Sequence, residues 1–181
     1  TAADTKSVTV YVGTVKGEEI TNYTENWKSG AIDTVTSYLY YKDATNQYVA
    51  ATTAGLSSDT YMTKSETRRL TSSGTLKQAT YYKNAVKGEE LSDWSIEYNF
   101  DGSKTKTVSV YAYGTTTATA DCLRTVTVYK DEVAAASAPT SVPTFTAADK
   151  KSVTAYVGTV KGEEITNYTE NWKSGAIDTV T

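Results

Sequence analysis

The feature that most constrains this chain is a long internal repeat. Residues 1–36 return as residues 146–181, at an offset of 145 positions. The two segments differ at two positions only, Thr5 versus Lys150 and Val10 versus Ala155. Identity at this level indicates tandem duplication, because unrelated segments do not converge on it. A fixed period of this kind is typical of repeat arrays, in which each unit packs against its neighbours.

The repeat also predicts how the chain is divided. The second copy ends at Thr181, whose counterpart Thr36 lies inside a predicted strand. We therefore expect one full repeat and the opening of the next. The expected parts are a β-repeat unit at 1–132, an Ala/Ser/Thr/Pro linker at 133–145 and the start of the following unit at 146–181. Proline withholds an amide donor, so the linker should be extended, and unpaired or at a sheet edge.

A fainter repeat lies inside the first one. The segment Val-Lys-Gly-Glu-Glu-Ile at 15–20 returns as Val-Lys-Gly-Glu-Glu-Leu at 86–91. Gly30 then matches Gly102, and a Tyr-x-Tyr pair matches a second one at nearly the same offset. The 145-residue repeat is therefore interpreted as two halves of about 72 residues, since each half would be one supersecondary unit.

Hydrophobic periodicity predicts an all-β fold. In the segment 93–100 large apolar side chains occupy every second position, which places Trp94, Ile96, Tyr98 and Phe100 on one face of a strand. Turn signals such as Ser29-Gly30 and Asp101-Gly102 separate similar segments, because glycine tolerates the positive φ of a tight hairpin. We expect an antiparallel meander of strands of about 10 residues, stacked as a sandwich or a solenoid, with almost no helix.

Composition narrows the function. The chain has no histidine, a single cysteine (Cys122) and a net charge of −3. Histidine is the commonest general base and metal ligand, so we expect no catalytic residues, no metal site, no cofactor and no enzymatic activity. The mixed charges form no basic stripe for nucleic acid, and no apolar run is long enough to span a membrane. The Glu-Glu pairs at 18–19 and 89–90 are interpreted as solvated hairpin ends, because adjacent strand residues point to opposite faces.

Other residues are candidates for modification or binding. Asn22 and Asn167 each begin an Asn-Tyr-Thr acceptor pattern for N-glycosylation. Hydroxyl groups open to O-glycosylation are those of Thr115, Thr116, Thr117 and Thr140. The aromatic candidates for stacking on sugar rings, or for packing between repeats, are Trp27, Tyr38, Tyr40, Tyr111 and Tyr113.

One short pattern carries a resemblance. Tyr98-x-x-Asp101-Gly102, followed by Tyr-Ala-Tyr-Gly at 111–114, resembles the YD repeats of Rhs-type and teneurin-type secreted shells. The Tyr-Asp doublet and the period of about 20 residues that mark those repeats are missing. The resemblance implies long β-sheets built from Tyr- and Gly-marked hairpins, in the wider class of extracellular fibre and stalk proteins.

Two functions fit these patterns. The first is a structural subunit of an extracellular fibril or cell-surface stalk, whose partners are copies of itself, either along one polypeptide or as subunits that exchange a strand. The second is a repeat adhesin that binds glycans through exposed tyrosine and tryptophan side chains, with the repeats adding avidity. The two differ in whether the aromatic rings are exposed or buried.

Overall fold

The fold is all-β, as predicted. A computed structural model describes residues 5–181. The strands are β1 (Ser7–Val12), β2 (Ile20–Lys28), β3 (Ala31–Tyr40), β4 (Val49–Ala50), β5 (Met62–Arg69), β6 (Leu76–Lys83), β7 (Leu91–Tyr98), β8 (Thr105–Tyr113), β9 (Leu123–Lys130), β10 (Lys150–Val157), β11 (Ile165–Lys173) and β12 (Ala176–Val180). Short 3-10 turns lie at Ala135–Ser137 and Ala147–Asp149.

The chain divides into two compact units. Of the described residues, the first contains 5–92 and 100–102, and the second contains 93–99 and 103–181. In the first unit the strand order is β1-β2-β3-β5-β6, with the short β4 also paired to β3. In the second unit the order is β7-β8-β9-β10-β11-β12. Each unit is therefore an open antiparallel meander, in agreement with the predicted succession of hairpins.

Apart from the two-residue β4, the strands of the two repeats and of their halves correspond to one another. The strands fall into classes by their order within each half-repeat. β1, β6 and β10 are the first strands of successive halves and form the first class, and β2, β7 and β11 are the second strands and form the second class. β3, β8 and β12 form the third class, and β5 and β9 form the fourth. The half-repeat is thus a four-strand unit, which gives the predicted division into halves a structural meaning.

The turn between β2 and β3 has the backbone conformation that its Ser-Gly sequence predicts. Between β2 and β3 the two central residues both adopt positive φ, 51° at Ser29 and 80° at Gly30. This is the backbone of a type I′ hairpin turn, whose twist matches that of the flanking strands. The second copy repeats it at Ser174 and Gly175, with φ values of 52° and 81°.

The core of the second unit is formed mainly by β7 and β8. Trp94 and Tyr98 are buried, and Ile96 is fully buried opposite Val108 in the β7–β8 register. Phe100 does not join them, because β7 ends at Tyr98 and Phe100 lies in the following turn with 84% of its surface exposed. Strict alternation predicted three of the four positions, and it failed where the strand ends.

Hydroxyl groups fill much of the interior and are paired. The Thr105 hydroxyl, 2% exposed, accepts from the Val133 amide at 3.0 Å. The hydroxyl of the buried Ser65 likewise lies 3.0 Å from that of Tyr82 on the neighbouring strand. Paired hydroxyls avoid the cost of burying an unsatisfied polar group, so a core low in aliphatic side chains can still be stable.

One buried and one half-buried tyrosine give a testable signature at high pH. Burial raises the pKa of Tyr40 to about 12, and burial likewise raises the pKa of Tyr113 to about 12. A phenol whose pKa is higher in the folded state removes stability once the pH exceeds its unfolded value near 10. In an absorbance titration Tyr40 and Tyr113 should be among the last tyrosines to ionise. We therefore expect Tyr40→Phe and Tyr113→Phe each to lose part of the absorbance change at the highest pH. Unchanged late ionisation in both variants would contradict this assignment.

Candidate assembly interface

Three loops of the same sequence connect equivalent strands. Val-Lys-Gly-Glu-Glu occurs at 15–19, 86–90 and 160–164, each time between a first-class and a second-class strand. In each loop the glycine amide donates to the second glutamate, with distances of 2.7 Å to Glu19, 2.8 Å to Glu90 and 2.9 Å to Glu164. The first four residues of the loop are exposed at all three sites. The second carboxylate is therefore fixed by its own loop.

In two of the three loops the second glutamate also holds another strand. The other carboxylate oxygen of Glu90 accepts the amide of Met62, the first residue of β5, at 2.9 Å. In the same way Glu164 accepts the amide of Leu123, the first residue of β9, at 2.8 Å. Each carboxylate thus joins its own loop to the first residue of another strand. That strand is β5, which pairs with β6, or β9, which pairs with β10.

Electrostatics support this role at Glu164. Its own backbone amide and that of Leu123 donate to the carboxylate and lower its pKa below the ordinary value of 4.5. A bridge of this kind is strongest when the acceptor is ionised, because hydrogen bonds to a charged group are stronger than neutral ones. Next to this carboxylate, the Arg124 guanidinium donates a hydrogen bond to the carbonyl oxygen of Gly158.

Glu19 is placed like its two counterparts but lacks the second contact. Among residues 5–181 no strand amide donates to its free carboxylate oxygen, because β1 pairs only with β2 in the described chain. Within residues 5–181 no strand therefore covers the outer edge of β1, and Val8 is 41% exposed. Its counterpart Val153 is half-buried in β10, which has β9 on one side and β11 on the other.

The interpretation of the Glu-Glu pairs as solvated hairpin ends was therefore incomplete. The first glutamate of the loop, Glu18 or Glu163, is exposed as predicted. The second glutamate binds backbone amides of two different segments at Glu90 and Glu164. The signal available in the sequence was the recurrence of the five-residue motif three times, because local alternation does not reveal a partner on a distant strand.

A test of the bridge uses the neighbouring glutamate as its control. Gln at position 164 keeps the shape but leaves one acceptor oxygen, so one of the two amides loses its partner. We expect Glu164→Gln to lower the exchange protection of the Leu123 or Gly162 amide several-fold, while Glu163→Gln leaves both unchanged. Because the folded pKa is lowered, the contribution is present above pH 4.5 and is lost as the pH falls through that lower pKa. Equal protection in the two variants would contradict the bridge.

The predicted modification residues lie on the surface or at irregular strand positions. Asn22 and Asn167 are both skipped in the pairing register, because a bulge separates their neighbours in β2 and β11. The Asn167 side chain is exposed and that of Asn22 is half-buried. All four predicted threonines, Thr115, Thr116, Thr117 and Thr140, are exposed.

The predicted aromatic residues are less exposed than a sugar platform requires. Tyr40 is 6% exposed and donates its hydroxyl to the Thr21 carbonyl at 2.6 Å, so it belongs to the core of its unit. Tyr38 is half-buried, and its hydroxyl lies 3.3 Å from that of Thr24. Trp27, Tyr111 and Tyr113 are also half-buried. The structure does not gather the five residues into one exposed patch within either unit.

Within the described residues no group of three or more histidine, cysteine, aspartate or glutamate side chains could hold a metal ion. Across the same residues no helix has the length and apolar character needed to cross a membrane. Cys122 is a free, buried thiol, 1% exposed.

Comparison with known proteins gives no match, so the chain is best compared with its own internal repeat. No family model matches the chain, and no curated protein or solved structure matches it significantly. The most informative comparison is therefore between the copies inside the chain, which share a strand order and a loop motif, and two of which share the glutamate bridge.

Proposed function

We propose that this chain is a structural element of an extracellular repetitive fibril or surface stalk built from its 145-residue repeat. The observation that carries the proposal is the pairing of β9, the last strand of the first repeat, with β10, the first strand of the next. They pair antiparallel from Lys150 opposite Tyr129 to Ala155 opposite Thr125. A hydrogen-bonded sheet that crosses the repeat boundary transmits force from one repeat to the next.

The segment between these strands is itself attached. The Val133 carbonyl accepts the Thr105 amide at 2.9 Å, and Ala134 forms a bridge with Lys104. Near the other end the Phe145 ring stacks on Tyr129, with centroids 4.3 Å apart. Contacts of this kind favour a stiff joint over a freely moving tether, because a tether would have to remain unpaired.

The chemistry of the strands also suits a load-bearing role. Cross-strand hydroxyl pairs such as Thr36–Thr67, 2.9 Å apart, add side-chain hydrogen bonds to the backbone ladder. The extracellular placement is supported by composition, namely many tyrosines and threonines with a single cysteine, and by the exposed acceptor pattern at Asn167. Glycans on such exposed positions would cover the fibre surface.

The proposal is tested by varying the number of repeats. Polypeptides with one, two, three and four copies of the 145-residue repeat would be measured by X-ray scattering and negative-stain electron microscopy. A continuous rod lengthens by a constant increment per repeat, whereas units on flexible linkers give an average end-to-end distance that grows with about the square root of the number. The proposal predicts constant increments, and square-root growth would refute it.

A second candidate is carbohydrate binding. An open groove of about 430 Å³ in the first unit is lined by Tyr11, which is 59% exposed, and by Tyr38, together with Glu19 and Glu90. Aromatic rings beside carboxylates suit the apolar face and the hydroxyls of a sugar. A glycan array that shows binding abolished by Tyr11→Ala would favour this function, and an array without hits would exclude it for the glycans tested.

A further inference from the structure

The open edge of β1 has a template inside the same chain. β10 repeats the β1 sequence with one change, Ala155 in place of Val10, and β11 repeats β2 without change. The register of β10 with β11, including its bulge, is the same as that of β1 with β2. What differs is the other edge, which β9 covers in β10 and which is open in β1 among the described residues.

The arrangement that covers β10 occurs a second time, with different side chains. β6 corresponds to β10, and it is covered by β5 as β10 is covered by β9. Both registers skip one lysine at the same place, Lys77 in β6 and Lys151 in β10. The sequences of β5 and β9 have little in common, MTKSETRR against LRTVTVYK. The shared elements are therefore the backbone ladder and the glutamate bridge at the start of the covering strand.

We propose that the open edge of β1 binds the β9 strand of a second copy of the repeat. The pairing is antiparallel and follows the internal template, so that Val8 lies opposite Thr127 and Thr9 opposite Val126 of that copy. The free carboxylate oxygen of Glu19 accepts the Leu123 amide, as Glu164 does within the chain.

Two more observations favour β9 over other strands as the occupant. Arg124 of β9 donates to the carbonyl of Gly158, and the equivalent carbonyl beside β1 is that of Gly13, at the same place in an identical loop. In addition, the alternating Val and Thr side chains of β9 suit a pleated edge next to Val8 and Thr9. The inference rests on the proposed fibril, for which it specifies the joint between consecutive repeats.

The test supplies the second copy of β9 through its natural connection. A copy of residues 105–145 is placed directly before Thr1, so that the added β9 reaches β1 through the same sequence that joins β9 to β10. Tethering raises the effective concentration to the millimolar range. We expect the amides of β1 that face away from β2 to exchange at least about tenfold more slowly than in the original chain.

The register and the bridge are tested in the same extended chain. With Cys122 changed to Ser in both copies, Val8→Cys should form a disulfide with Thr127→Cys of the added copy, because directly opposite strand residues have Cα atoms about 4.5–5.5 Å apart. The neighbouring Val126→Cys should not crosslink with it. Glu19→Ala should reduce the gained protection about fivefold, while the control Glu18→Ala leaves it unchanged.

The outcomes separate this inference from the proposed function. Unchanged exchange at β1, crosslinking at position 126 instead of 127, or equal effects of the Glu18 and Glu19 variants would overturn the pairing. If the repeat series nevertheless gives rods, the fibril stands and only this joint is wrong. If β1 becomes protected and crosslinks in register but the repeat series is flexible, the joint stands and the fibril is wrong.

Discussion

Replacing Ile20 by alanine is expected to lower the free energy of unfolding by about 2–5 kcal/mol, the usual cost of deleting a buried isoleucine side chain. Ile20 is 7% exposed and packs in a cluster with Tyr40 and Ala51, which Leu56 and Met62 border. Alanine at this position would remove apolar contact and leave a cavity. Urea denaturation of the original chain and of the variant measures the difference, provided that the free energy of unfolding depends on urea concentration with the same slope in both.

The chain provides a matched control for this prediction. Ile165 begins the same nine-residue sequence in β11, but it is 66% exposed. Ile165→Ala should change the free energy of unfolding by less than about 0.5 kcal/mol, since little apolar area is involved. Similar losses in the two variants would mean that the burial of Ile20 does not distinguish the two copies, and the account of the first unit's core would be wrong.

Ile96→Ala is the second substitution with a large expected effect. Ile96 is 0% exposed in the middle of β7, directly opposite Val108, which is also 0% exposed. Such a closely packed site cannot collapse easily around a deleted side chain, so we expect a loss of about 2–5 kcal/mol. Thermal and urea unfolding of the chain with and without this substitution would measure the loss.

Its control lies in the same unit. Ile177 in β12 is 50% exposed, and Ile177→Ala should cost less than about 0.5 kcal/mol. The double variant Ile96→Ala/Val108→Ala should also lose less than the sum of the single variants, because the two residues share one contact. A loss at Ile177 as large as the one at Ile96, or strict additivity of the pair, would contradict a core centred on β7 and β8.

The sequence predicted the architecture because its signals are local. The alternation around Trp94 and Ile96 and the turn at Ser29-Gly30 depend on neighbours within a few residues, and the structure confirms both. The repeat then extended each local prediction to its copies. Phe100 shows the limit of this reasoning, because the same alternation continues past the residue where β7 ends.

Burial could not be predicted in the same way. Ile20 and Ile165 have identical neighbours in sequence, and they differ in exposure because Tyr40, Ala51 and Met62 cover the first, whereas the positions equivalent to these three come after Thr181. Likewise, Glu90 and Glu164 meet amides that are 28 and 41 residues away. Contacts over such distances are set by strand order, which no local pattern specifies.

The central claim, that the sheet continues from one repeat to the next in a fibre, is tested most directly by electron cryomicroscopy of the assembled protein at a resolution that traces the backbone. The account predicts a rod whose axial repeat is accounted for by 145 residues, with β9 paired to β10 at every boundary and residues 131–149 ordered between them. Separate β-units joined by untraceable linkers, with no strand pairing across the boundary, would contradict it.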